Sequence, residues 1–305
     1  MKTYKTKIVI IIILAITIFC AAYSQAEEAD IRATVLWSCF VPGGGHFYLG
    51  QPNAGNAYLL TEGLLLIGGM STKSNPGMAE NEWNLFFANA LKIHELNIFT
   101  SYREARTINQ NLGYINPIDT TSLPQLYLAP FKWKNLSSPY VYGFLIAGIG
   151  INMLQASLNQ QRRDYDSIDT IDMMGVTLDR SAGTTAYAFS WITLDLNAAV
   201  SEECAYRGVL QAEAEESIGK TAGLLVSSGI FGLGHVTNWV DGASWVNGGV
   251  ATLAGIYLGW LFQKNGYRLE ESIAAHFWFN VAAGTTLFIM DPANNPLGLK
   301  INFRI

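Results

Sequence analysis

The chain has 305 residues, of which 50% are hydrophobic and 14% charged, where an ordinary soluble chain carries about a quarter charged residues. An aromatic content of 12% excludes a disordered polymer. A net charge of −5, with no basic run longer than two residues, excludes a nucleic-acid binder. Three cysteines are too few for a disulfide framework. This is the composition of an all-α polytopic membrane protein with sizeable polar loops.

The N-terminus carries Lys2, Lys5 and Lys7, then an apolar run over 8–22, then Ser24 and Ala26 at the −3 and −1 positions of a cleavage site. That order predicts a secretory signal peptide over 1–26, with an uncleaved first helix as the alternative. Phe19 stands before Cys20, where a lipoprotein would have a small residue.

A hydrocarbon core about 30 Å thick takes about 20 mostly apolar residues per helix. About eight spans are expected, over 33–50, 56–71, 84–97, 140–158, 184–210, 220–237, 245–263 and 270–290. The first holds Pro42, Gly43, Gly44 and Gly45, which break a helix or let backbones approach, and beside them His46 reads as a packing residue. Lys92, His94 and Glu95 interrupt the third, making it the weakest span and a candidate for the membrane interface. The chain therefore divides into the signal peptide, a membrane hairpin region over 27–97, polar loops flanking one span over 98–183, a four-helix core over 184–290 and a tail over 291–305.

The core holds the chemistry. Ser201-Glu202-Glu203-Cys204-Ala205-Tyr206-Arg207 puts two carboxylates and a guanidinium in an apolar helix, each costing about 2.5–3.5 kcal/mol at a helix centre unless paired or facing a polar cavity. Glu203 and Arg207 are four apart and can pair on one face. Glu202 is turned about 100° from Glu203, which leaves it the less neutralised of the two. A packing ion pair would explain Glu203 but not Glu202. The next span ends at His235, and the last contains His276 and Asn280, again four apart. Counted at 1.5 Å per residue, Glu202 and His235 each lie roughly 25 Å from the turn near Gly219. Asn280 and His276 lie roughly 21 and 15 Å from the turn near Gly266. One polar pocket inside the bilayer follows, with the 245–263 span, rich in small residues such as Gly255 and Gly259, as scaffold.

Glu-Glu-x-x-x-Arg at 202–207, Phe-x-x-x-His at 231–235 and His-x-x-x-Asn at 276–280 resemble the three motifs of the CAAX-processing and bacteriocin-processing (CPBP, or Abi) family of intramembrane endopeptidases. That family includes the type II CAAX prenyl endopeptidase. The resemblance covers 184–290. It implies that Glu202 and His235 activate a water against a peptide carbonyl, that His276 and Asn280 stabilise the oxyanion, that Glu203 and Arg207 form a structural pair, and that Phe231 packs within the motif. It leaves a zinc site open, with Glu202, His235 and His276 as a His₂Glu set. The lack of a His-Glu-x-x-His helix favours a protein-activated water. The implied partners are a membrane-protein or peptide substrate and the lipid bilayer, and the expected location is the bacterial inner membrane. A non-proteolytic scaffold or immunity-type binding protein of the same fold is the alternative. A transporter would more naturally carry repeated halves, and none is visible.

Overall fold

The computed structural model describes residues 28–73, 83–158, 163–238 and 242–304; the expected signal peptide lies outside them. Helix α1 (Ile31–Phe40) starts at Asp30, whose carboxylate accepts from the Ala33 N–H at 3.0 Å. It stops at Val41, which is extended at φ −133°. Gly43 then takes φ +76° and leads into the short α2 (Gly44–Tyr48). The expected 33–50 span is thus two pieces. The ten residues of α1 rise only about 15 Å and cannot cross the bilayer alone. The glycine is required twice over at position 43, because a Cβ there would also strike the Gly55 carbonyl oxygen. His46 is 5% exposed and bridges Gln51 and Thr100 at 3.0 and 2.9 Å, stacked on Tyr58.

Helices α3 (Pro52–Lys73) and α4 (Trp83–Ile108) pack together, and α4 runs 26 residues, well past the expected 84–97. Short helices α5 (Leu123–Tyr127) and α6 (Trp133–Leu136) lead to α7 (Pro139–Leu158). Helix α8 (Arg180–Glu202) is capped by Asp179 and continues without a break into a π-helical segment, Glu203–Gln211, and then α9 (Ala212–Ile218). Gly219, at φ +88°, turns the chain into α10 (Lys220–Gly234). Helices α11 (Trp245–Lys264) and α12 (Glu270–Met290) complete the core. Among the described residues these last two are long and apolar enough to cross a membrane. The mostly helical architecture is as expected, with two of the eight expected spans meeting the length and hydropathy of a crossing among the described residues.

The chain is not all-α. The polar stretch read as a loop holds β1 (Ile168–Met173) and β2 (Val176–Asp179), joined by Met174-Gly175, both at positive φ as a tight two-residue hairpin requires. Between α10 and α11 lie two short strands, β3 (Thr237–Asn238) and β4 (Gly242–Ala243). The tail supplies β5 (Lys300–Phe303), antiparallel to β1, giving the order β2-β1-β5. Ile168 and Ile171 are three apart, so a regular strand would point them to opposite faces. A register shift between Ile168 and Thr170 lets both be fully buried against Tyr187 of α8 and Phe288 of α12. The bulge thus erased the alternation by which the strand would have been read.

The main core lies where α4, α8, the π-helical segment and α12 meet. It is built from Leu96, Phe99 and Tyr102 with Ala199, Cys204 and Phe277. This packing presses α4 against the two core helices that bear Glu202 and His276.

Candidate active site

Glu202 ends α8 at the junction with the π-helical segment, and Glu203 begins that segment. The looser winding, common at functional sites, sends the adjacent carboxylates to different partners. Glu203 is wholly buried. Its Oε1 lies 3.2 Å from the Arg207 guanidinium and 3.0 Å from His276 Nδ1. Arg207 in turn lies over the Phe231 ring, 4.4 Å to the centroid, and donates to the Gly255 carbonyl at 3.3 Å. Gln211, one step further along the segment, donates to the Gly259 carbonyl at 3.1 Å. The small residues of α11 therefore do more than permit close packing: they expose two backbone acceptors to the helix that carries the charges.

Glu202 turns the other way. Its Oε2 faces His235 Nε2 at 3.9 Å and His276 Nε2 at 3.7 Å, and it has no hydrogen-bond partner. His235 Nδ1 is 2.8 Å from the Phe231 carbonyl, which assigns the ring proton to Nδ1 and leaves Nε2 as the basic nitrogen. Phe231 packs against both imidazoles, with ring centroids 4.4 Å from His235 and 6.0 Å from His276. Asn280 lies on the wall of a cavity of ≈ 680 Å³ together with His235, His276, Phe231 and Asn247. The rest of that wall is mostly apolar side chains of α7, α11 and α12. The single pocket expected from the sequence is thus divided: His235, His276 and Asn280 line this cavity, while Glu202 lines a neighbouring one with His235 and reaches both imidazoles through Oε2.

Three residues at the site escaped the sequence reading. Lys92 Nζ is 2.7 Å from Glu202 Oε1 and 3.2 Å from Glu95 Oε1. Glu202, expected as the less neutralised of the two carboxylates, is thus paired with a lysine from outside the 184–290 core. Glu95 also accepts from Ser201 Oγ at 2.9 Å. Asn247 of α11, a helix expected to contribute scaffold alone, reaches the cavity wall. The signal for Lys92 and Glu95 was present: charges three apart inside an apolar helix share a face and call for a partner. They were read as weakening the span. His94, the third interruption, pairs instead with Glu62 of α3 at 3.0 Å.

Among the described residues no three His, Cys, Asp or Glu side chains are arranged to hold a metal ion. The Lys92 ammonium neutralises Glu202 through Oε1, while Oε2 faces the two imidazoles. The chemistry proposed below runs through side chains alone.

The site is a buried carboxylate facing two imidazoles, beside a cavity walled by apolar helices. Residues 184–282 match the family model described as Type II CAAX prenyl endopeptidase Rce1-like, and they form a domain of that family of polytopic membrane proteases. No curated protein and no solved structure matches the chain.

Proposed function

We propose that this protein is an intramembrane endopeptidase of the bacterial inner membrane, made with a signal peptide, whose core over 184–290 hydrolyses a peptide bond of a membrane-associated protein. About eight crossings would carry it. The observation behind this reading is the free Oε2 of Glu202, 3.9 Å from the basic nitrogen of His235. That separation is too long for a hydrogen bond and suits two groups that share one water. The water oxygen attacks the carbonyl carbon while its proton passes to Glu202 or His235. The same proton then returns to the departing amine nitrogen as the C–N bond breaks.

Asn280 donates to the developing oxyanion from the cavity wall. His276 joins it through Nε2. Its Nδ1 faces Glu203 at 3.0 Å, which fixes the orientation of the ring. The mostly apolar cavity suits an apolar stretch of substrate.

Two quenched-fluorescent probes test the reading in detergent: a farnesylated peptide ending in Cys-aliphatic-aliphatic-X, and an unprenylated single-span peptide. The purified wild type is expected to cleave one of them, and Glu202→Ala and His235→Ala to cleave neither while remaining folded. Equal cleavage by wild type and Glu202→Ala would sink the protease reading and leave the binding-protein alternative.

A further inference from the structure

We propose that Lys92 and Glu95 of α4 are positioning residues for the reacting carboxylate, so that the working site is completed by a helix outside the matched stretch of 184–282. The inference rests on the hydrolytic reading of Glu202.

The geometry is a closed polar ring between α4 and α8. Lys92 Nζ holds Glu202 Oε1 at 2.7 Å. Lys92 also holds Glu95, with 3.2 and 3.3 Å to its two oxygens. Glu95 Oε2 accepts from the hydroxyl of Ser201, the residue before Glu202, at 2.9 Å. Two adjacent residues of α8 are therefore gripped by two residues on one face of α4. A carboxylate free to turn about its last bond exchanges its two oxygens. With Oε1 held by an ammonium, that exchange is blocked and Oε2 stays aimed at the Nε2 atoms of His235 and His276.

Glu95 limits the ammonium's reach. Lys92 is shared between two carboxylates and cannot swing onto Oε2 without giving up the second. Its long stem would otherwise leave it several rotamers to choose from.

Lys92 works from a neighbouring cavity. A second cavity of ≈ 760 Å³ is lined by Lys92, Glu95, Glu202 and Tyr206, and neither His276 nor Asn280 lines it. The ≈ 680 Å³ cavity has His276 and Asn280 on its wall and lacks Lys92, Glu95 and Glu202. His235 and Asn247 line both. Lys92 is thus absent from the wall of the cavity proposed for substrate and meets Glu202 at Oε1 while Oε2 faces the imidazoles, so it acts through the carboxylate.

The test uses the full chain in detergent with whichever of the two probes wild type cleaves, and separates kcat from KM. Lys92→Met is expected to keep KM and lower kcat by about 10–100-fold, comparable to removing groups that orient metal ligands. Lys92→Arg, which restores a cation at the same place, is expected to recover most of the loss. Glu95→Gln should lower kcat less than Lys92→Met. A purely structural clamp predicts the opposite pattern: a lower melting temperature with unchanged kcat per folded molecule, and that result overturns the proposal. Should Lys92→Met not fold, Lys92→Gln and Glu95→Gln are read in the same way, and unchanged kcat in both overturns it. The two layers fail separately. If Glu202→Gln is inactive and Lys92→Met runs at full rate, only the positioning role falls. If wild type cleaves neither probe, or Glu202→Gln matches wild type, the protease reading falls and takes this inference with it.

Discussion

Glu202 and Glu203 are neighbours with different fates when neutralised. Glu203→Gln leaves Arg207 buried with only a 3.3 Å bond to the Gly255 carbonyl and the Phe231 ring for company, and stranding one partner of a buried pair costs about 3–5 kcal/mol. Glu202→Gln leaves Lys92 with Glu95 at 3.2 Å. The Glu203 variant is therefore expected to melt at the lower temperature in detergent, and equal melting would contradict the assignment of structural weight to the buried pair. Asn280→Ala removes one oxyanion donor and no base, so cleavage should fall by about 10²–10³-fold without vanishing. The residues behind both expectations were legible because each motif interval places its members on one helix face. Lys92 was not, since its partner lies 110 positions away and a cation inside an apolar helix looks like a fault in the helix until the other carboxylate is in view.

At the scale of elements, close approach does the positioning. A Cβ on Gly232 of α10 would strike Thr252 Oγ1 and approach the Gly248 carbonyl oxygen to 2.6 Å. Gly232→Ala is expected to cost about 1–3 kcal/mol by forcing α10 and α11 apart, and to weaken cleavage as His235 moves with α10; denaturation and turnover of the variant check the two together. The sheet offers an independent probe outside the membrane. Asp172 of β1 is held below the usual carboxylate range by the Thr177 hydroxyl, with Lys300 and Asn302 of β5 adding to the effect. A depressed carboxylate stabilises the fold above its unfolded value near 3.9 and loses that contribution as pH falls through its folded value. Exchange protection of the β5 amides, corrected for intrinsic rates, should therefore fall below about pH 4, and Asp172→Asn should flatten the dependence. The sheet was illegible in the sequence for a local reason: the register shift at Ile168–Thr170 buries two isoleucines that a regular pleat would part. The 33–50 stretch misled in the opposite way, being apolar enough for a helix but unable to continue one through Val41, Pro42 and Gly43.

At the scale of the whole molecule, the stretch before residue 184 packs into the same core as the matched residues. Helix α4 joins the same core as α8 and α12 and brings Lys92 to the site. The ammonium on Glu202 also bears on metal dependence. Cleavage is expected to be indifferent to chelation, whereas a metal-bound water would give a reversible loss and rescue by zinc.

The π-helical winding of Glu203–Gln211 has a consequence for how this protein tolerates change in length. An ordinary helix that loses one internal residue has every later side chain turned by about 100°. Here the lost residue would let the i→i−5 ladder close into the ordinary i→i−4 one, so the helix survives as a helix. Arg207 would then follow Glu203 by three residues of ordinary helix, about 300° round, where the two still share a face. A single deletion between Cys204 and Tyr206 should therefore leave the Glu203–Arg207 pair and the fold in place, where the same deletion in an ordinary helix would part them; a melting temperature close to that of the intact chain would show it.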